Sequence, residues 1–242
     1  MPSRRVLVVG GSSGIGRAVA VALGRRGDAV AVAARRADLL AGVVAEAGPT
    51  CHGLRADAAD PEAARELVER AADRLDGLDA VVYAAGRSTL RPLSAGDAGD
   101  WHRTLATNVV GPAVVLSAAG PHLAEGTGPT AVLLSSHSVG RPWPGLVPYA
   151  ASKAALDQLA LGLRAEEPWL RVVRVVVGPT ATPFADGWDP DEAGARFEAW
   201  AAGGYLVHQV QTSEVVAARV VNALDDPTGG DEVRIVGPET AG

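Results

Sequence analysis

One cysteine, Cys51, stands in 242 residues, so no internal disulfide forms and no set of thiolates can hold a metal. Such scarcity suits a reducing compartment, and a cytoplasmic protein without a metal site is expected. Cations are also short: 22 Lys and Arg face 28 Asp and Glu, a formal charge of −6. Arg25-Arg26 and Arg35-Arg36 are the densest basic clusters, which argues against a nucleic-acid partner. Long apolar runs are missing too. The stretch before Gly10 is too short for a signal peptide's core, and no run reaches membrane-spanning length, so no membrane partner is expected. Aromatic residues number ten, and half of them fall between Phe184 and Tyr205.

What is present is a βα rhythm in a chain that is 48% hydrophobic. Val6–Val9 is an unbroken apolar run that stops at glycine, as a strand buried on both faces does. Gly10-Gly11-Ser12-Ser13-Gly14-Ile15-Gly16 follows, and Arg17–Arg26 has helical apolar spacing. A glycine-rich turn from strand to helix brings backbone close to a pyrophosphate, and the helix N-terminus adds free N–H groups. The spacing is Gly-x-x-x-Gly-x-Gly rather than Gly-x-Gly-x-x-Gly, and a plain tight turn is the alternative. A second strand, Ala29–Ala34, ends in Arg35-Arg36. An acid at this strand end takes a ribose 2′-hydroxyl, whereas arginine accommodates a 2′-phosphate. Two arginines and no acid favour NADP(H) over NAD(H); otherwise the pair is solvated charge opening the next helix.

Ala37–Ala47 reads as a helix, Cys51–Arg55 as a strand with Asp57 just past its end, and Pro61 opens a helix to Leu75. Ala80–Tyr83 is a fourth strand. Ala84-Ala85-Gly86 beyond it lets backbone lie against a flat ring, or else marks a close helix–strand contact. Asp97 or Asp100 caps a helix reaching about Leu123, within which Pro112 removes the hydrogen bond to the Asn108 carbonyl and predicts a kink. Asn108 there either satisfies loose backbone or holds a functional water. Thr130–Leu134 is a fifth strand with Ser135, Ser136, His137 and Ser138 at its carboxyl end, where open parallel sheets bind ligands. His137 is an acid/base candidate, although strand alternation turns it away.

Pro148 opens a helix of strong formers to about Glu167, placing Tyr149 and Lys153 one above the other. An ammonium beside a phenol lowers the phenol's pKa, which suits acid/base work on a carbonyl or alcohol oxygen; an ordinary exposed pair is the alternative. Arg171–Val177 is a sixth strand. The irregular Phe184–Leu206 segment then breaks the rhythm. Its aromatic density marks a lid over an apolar pocket, a local staple or a subunit contact. Ser213 caps a last helix, Glu214–Leu224, and Glu232–Val236 is a seventh strand. The alternation gives one α/β domain over residues 1–242, doubly wound, with a seven-stranded mostly parallel sheet and helices on both faces.

These marks together resemble the short-chain dehydrogenase/reductase family, in its short single-domain branch. Val9-Gly10 with Gly14 and Gly16, Tyr83-Ala84-Ala85-Gly86, Asn108-Val109, Ser136, Tyr149 with Lys153, and Val177-Gly178 with Thr182 follow the family's order and spacing across nearly the whole chain. The resemblance implies a Rossmann-type fold and NADP(H)-dependent interconversion of a ketone or aldehyde with an alcohol. It implies Tyr149 as general acid/base, and Ser136 on the same oxygen, with Ser135 and Ser138 as near alternatives. Lys153 would bind the nicotinamide ribose and Asn108 hold a water in a proton relay. Gly10, Ser12, Ser13, Gly14, Ile15 and Gly16 would line the phosphate path, Arg35 and Arg36 meet the 2′-phosphate, and Asp57 and Ala58 the adenine. Ala84, Ala85, Gly86, Gly178, Thr180 and Thr182 would complete the cofactor contacts.

A small-molecule carbonyl or alcohol substrate, bulky and apolar, would touch Ser136, Trp143, Leu146, Tyr149, Phe184 and Trp188, beneath the 184–206 lid. A homo-oligomer, a tetramer or else a dimer, would pack outer positions Ala113, Ala119, Leu159 and Leu163. The chain departs from the pattern at Val9 (usually Thr), at Tyr83-Ala84 (usually two Asn) and at Val177 (usually Pro), which puts loop rigidity in question. A dinucleotide-sensing or scaffold protein without turnover, and an epimerase or dehydratase, are the competing functions.

If Arg35 and Arg36 read a 2′-phosphate, NADPH binds about one to two orders of magnitude more tightly than NADH. Fluorescence titration with both nucleotides measures this. Equal affinities, or an NADH preference that survives Arg35→Ala, reject it.

Overall fold

Val6, Leu7, Val8 and Val9 are buried whichever face they point to, and β1 (Arg5–Val9) accordingly lies in the middle of a sheet. In this computed structural model, residues 3–206 and 208–238 are described. Met1, Pro2, Val207 and residues 239–242, which the 1–242 span includes, lie outside the described residues. The strands β2 (Ala29–Ala34), β3 (Cys51–Arg55), β4 (Ala80–Tyr83), β5 (Thr130–Ser136), β6 (Arg171–Val177) and β9 (Glu232–Ile235) join β1 in the order β3-β2-β1-β4-β5-β6-β9. Every pairing in this sheet is parallel. A separate two-stranded ladder, β7 (Thr180–Ala181) with β8 (Gln211–Thr212), has no counterpart in the sequence reading.

Parallel strands need crossovers, and helices cover both faces. On one face α1 (Gly14–Arg26), α2 (Ala37–Ala47) and α8 (Ser213–Asp225) pack Val19, Leu23, Leu40, Val43, Val216 and Val220 against the sheet. On the other, α3 (Pro61–Leu75), α5 (Gly111–Ala124) and α6 (Val147–Glu166) contribute Leu67, Val68, Val115, Leu116, Leu156 and Ala160. The chain order reverses between β1 and β4, and loops leaving their carboxyl ends part to opposite faces, opening a crevice.

The expected kink is a π turn. After α4 (Ala98–Leu105), capped by the Asp97 carboxylate on the Asp100 N–H, residues Ala106–Val110 widen by one residue per turn. The Gly111 N–H reaches back to the Ala106 carbonyl, and Pro112 supplies no donor for Asn108. Ala98–Ala124 therefore forms one helical run that is long and apolar enough to cross a membrane by length and composition, contrary to the sequence reading. Its Val115, Leu116, Ala119 and Leu123 are instead packed against the sheet. Ala119 is fully buried, and Leu159 and Leu163 also lean on this core, so three positions offered for subunit contact serve their own chain.

Two further expectations change. Thr212, not Ser213, caps α8 by accepting the Val215 N–H, while the Ser213 hydroxyl donates to Ala181. The 184–206 segment is not irregular: α7 (Pro190–Ala202) fills most of it, its first N–H groups held by the Asp189 carboxylate.

The family's missing side chains are replaced by other contacts. The Gly10 and Gly11 N–H groups both donate to the Ala33 carbonyl, at 2.8 and 3.0 Å, bracing the loop after Val9 through main chain. The Tyr83 hydroxyl donates to the Thr107 carbonyl at 2.7 Å and ties β4 to the π turn. A methyl group on Gly111 would overlap that hydroxyl and the Ala58 carbonyl. Gly111→Ala is therefore expected to cost about 1–3 kcal/mol of stability, the range for overpacking a filled core. Urea unfolding measures it; a loss below about 0.5 kcal/mol, the size of a neutral surface change, shows that the contact gives way freely.

Candidate active site

At the carboxyl ends of the strands lies a cleft of about 790 Å³ that runs from Arg35 and Arg36 to the aromatic residues of the 184–206 segment. All the residues named above for cofactor or substrate line it, with one exception, Asn108. Its nucleotide end is built by close backbone approach. Gly10 has φ +86°, and a Cβ there would overlap the backbone of Ala85; one on Gly16 would overlap the Gly10 carbonyl. Ala84-Ala85-Gly86 lines the cleft, and Ala84 and Ala85 are packed closely against the glycine loop and the start of α1.

Helix α1 starts here with no side-chain cap and no acid in its first turn, so its positive end faces the cleft uncompensated. Arg36 crosses the mouth, donating to the Ser13 hydroxyl at 2.8 Å and the Ser12 hydroxyl at 3.1 Å. Arg35 is two-thirds exposed and stands 3.8 Å from Asp57. The donor set, a free helix N-terminus flanked by two guanidinium groups, fits a dinucleotide with an additional phosphate.

The other end holds Ser136, Tyr149 and Lys153. Ser136 ends β5, and the Ser138 hydroxyl and N–H donate to its Oγ at 2.9 and 3.1 Å. Its own proton is then free, and the hydroxyl acts on the Tyr149 phenol by favouring the phenolate. Ser135 is buried with no partner for its hydroxyl among the described residues, and Ser138 is buried as the donor to Ser136. Of the three serines, Ser136 is the one that acts on the Tyr149 phenol.

Lys153 is buried, and its ammonium donates to the Leu134 carbonyl at 2.7 Å. It stands 5.8 Å from the centre of the Tyr149 ring. Burial brings it down to about 8, with Asp157 one turn on pulling the other way. Burial also pushes the Tyr149 phenol up to about 12, against the opposing pull of the Ser136 hydroxyl. The expected lowering of the tyrosine by lysine is thus reversed. Desolvation of the phenolate outweighs a cation that is turned onto a strand carbonyl.

Asn108 has no exposure, and it neither repairs its own kink nor reaches the cleft. Its Oδ1 accepts the Arg87 N–H at 2.9 Å, and its Nδ2 donates to the Arg87 carbonyl and the Ser152 hydroxyl at 2.9 and 2.8 Å. Ser152, not singled out from the sequence, passes the chain on to the Tyr149 carbonyl at 2.7 Å. Its place three residues after Tyr149 on a helix is the signal that could have found it.

The substrate wall is a series of rings in contact. Tyr149 meets Phe184 at 5.1 Å between centres, Phe184 meets Trp188 at 6.0 Å, and Trp200 meets Trp188 and Trp143 at 6.2 and 4.9 Å. Leu90 and Leu146 complete the cluster. The segment is pinned at both ends: Trp188 Nε1 donates to Ser88 at 3.1 Å across the cleft, and Trp200 Nε1 to the Pro144 carbonyl at 2.9 Å. Ser88 carries no sequence signal, since its partner is 100 residues away.

The chain belongs to the short-chain dehydrogenase family, whose model matches residues 4–193, and it is an oxidoreductase of that class. It is 33% identical over 227 residues to a glycine betaine reductase of Emericella nidulans, covering 91% of this chain and 17% of that protein. A fatty acyl-CoA reductase of Mycobacterium tuberculosis is 31% identical over 238 residues, which are 93% of this chain and 81% of the relative. Among solved structures, a short chain dehydrogenase from Burkholderia cenocepacia in complex with NADP is 32% identical, with a TM-score of 0.85 over 97% of both chains.

If burial governs Tyr149, its phenol ionises above the ordinary value of about 10 in the protein free of nucleotide. Ultraviolet difference titration, with a Tyr149→Phe spectrum subtracted, reads this directly. A component titrating at or below about 9, well under the free phenol value, would show that Lys153 governs instead.

Proposed function

We propose that this protein reduces a ketone or aldehyde to an alcohol with NADPH, Tyr149 acting as the proton donor. The observation that carries this reading is the gathering of Ser136, Tyr149 and Lys153 on one wall of the cleft, with the Lys153 ammonium held by the Leu134 carbonyl. When bound, the nicotinamide supplies the hydride to the carbonyl carbon. Ser136 and Tyr149 converge on the carbonyl oxygen and stabilise the charge growing there. The raised pKa of Tyr149 keeps the phenol protonated at neutral pH, the state in which it gives a proton to the nascent alkoxide. Lys153, still charged below about 8, then faces a tyrosinate and stabilises it until a proton returns from solvent. The main-chain carbonyl of Asn108, to which Pro112 donates nothing, is the place for a water in that return path.

At the nucleotide end, the α1 N-terminus, Ser12 and Ser13 take the phosphates, and Arg35 and Arg36 the 2′-phosphate. The bound NADP of the Burkholderia cenocepacia relative supports that preference. The 184–206 segment forms the substrate wall, suited to an apolar body. A homo-oligomer stays part of this reading, carried by the exposed Val110 and Leu161 rather than by the core-facing positions.

Tyr149→Phe removes the proton donor and one of two oxygen-stabilising groups while keeping the ring. It should lower turnover by roughly two to four orders of magnitude with nucleotide affinity unchanged. NADPH consumption against a panel of ketones and aldehydes reads the loss. Near-normal turnover in a folded variant would remove Tyr149 from the chemistry.

A further inference from the structure

His137 lines the cleft one residue beyond Ser136. Its Nδ1 is buried and has no hydrogen-bond partner among the described residues. Leaving a lone pair unmatched there costs less than leaving an N–H unmatched, so the proton of the neutral ring belongs on Nε2. The ring can then reach the cleft as a donor through Nε2. Behind it stands His208, with ring centres 5.2 Å apart, planes 79° apart, and an Nδ1 that is likewise buried without a partner.

The charged and titratable groups that act on His137 are His208, Arg234 and Arg141, all of them basic. Burial first, and these neighbours second, hold its pKa below the ordinary imidazole value. Arg234 is matched by Glu232 at 3.0 Å. Arg141 makes no ion pair among the described residues. It donates to the Gly203 and Gly204 carbonyls at 2.9 and 2.7 Å and lies 4.0 Å over the Tyr205 ring, next in line to Trp143 on the aromatic wall. This corner therefore combines a neutral N–H donor, one unmatched cation and an adjoining apolar surface. A single negative charge on an apolar body complements it.

We propose that His137 is a specificity-determining residue that binds a carboxylate carried by the substrate, with Arg141 adding attraction from the rim. The inference rests on the carbonyl-reductase reading and narrows its substrate class to oxo acids with an apolar body. It has a proton signature. A bound carboxylate favours the imidazolium, so the complex holds more protons than the free protein, and affinity rises as pH falls toward the ordinary imidazole range.

The probes are 3- and 4-acetylbenzoate and their methyl esters, tested with the NADP(H)-loaded protein. Calorimetric titration in two buffers of different ionisation enthalpy gives affinity and proton uptake, and NADPH consumption gives kcat and KM for each compound. At pH 6 at least one acid should exceed its ester roughly tenfold in affinity, mainly through KM, with proton uptake that fades by pH 8. His137→Leu should abolish both preference and uptake. His137→Gln, which keeps a donor but cannot titrate, should retain part of the preference without uptake. Retained nucleotide binding shows that each variant is folded. The inference is overturned if none of the four binds, if neither acid is preferred, or if His137→Leu keeps the preference. If no ketone at all consumes NADPH, the reductase reading fails, while the calorimetric preference still decides this one.

Discussion

Asn108 is a buried amide whose oxygen and nitrogen are both committed to other segments, and the site depends on where it puts them. The loop after β4, the π turn and the first turn of α6 come from three separate stretches of chain. An amide without solvent has to find its partners among them, and here it finds the Arg87 backbone and Ser152. Ser152 in turn fixes the backbone of Tyr149. The distance between the two sides of the cleft is therefore set by hydrogen bonds too costly to break one at a time. The π turn lets this happen, because a regular helix with a proline at 112 would present residue 108 at another angle.

The same low-dielectric setting explains the electrostatics. Tyr149 and Lys153 are pushed in opposite directions, and both shifts favour the neutral form. Helical spacing alone suggests an ion pair in which the cation lowers the phenol. The structure instead spends the ammonium on the Leu134 carbonyl, a local partner that answers its desolvation. A phenol held neutral keeps the proton that the proposed reduction requires.

The architecture was legible in the residues because central strands such as Val6–Val9 and Ala80–Tyr83 are apolar on both faces and end at small residues. The family resemblance names Ser136, with Ser135 and Ser138 as near alternatives, and the structure ends β5 at Ser136 with Ser138 folded back as its donor. Helix α7 did carry a signal, Asp189-Pro190 with Asp191 and Glu192 in the first turn, which aromatic density obscured. The Trp188–Ser88 bond and the His137–His208 contact join residues far apart in the chain, and no local pattern announces them. Of the positions read as outward-looking, Ala119 is fully buried and Leu159 and Leu163 lean partly on the core, because apolar side chains suit an inner helix face equally well.

An open sheet leaves two rows of unpaired backbone groups, one at each outer strand, and β9 is one of them. It is four residues long and alternates Glu232 and Arg234, both facing solvent and paired to each other, with Glu232 also bonded to Arg174 on β6. A foreign strand seeking to add there would have to strip water from this charged rim for very few hydrogen bonds. β9 thus closes the sheet against lateral growth, and it does so late in the chain. Until it docks, the valine-rich edge of β6 lies open, so β9 also shields the newly made protein from self-association.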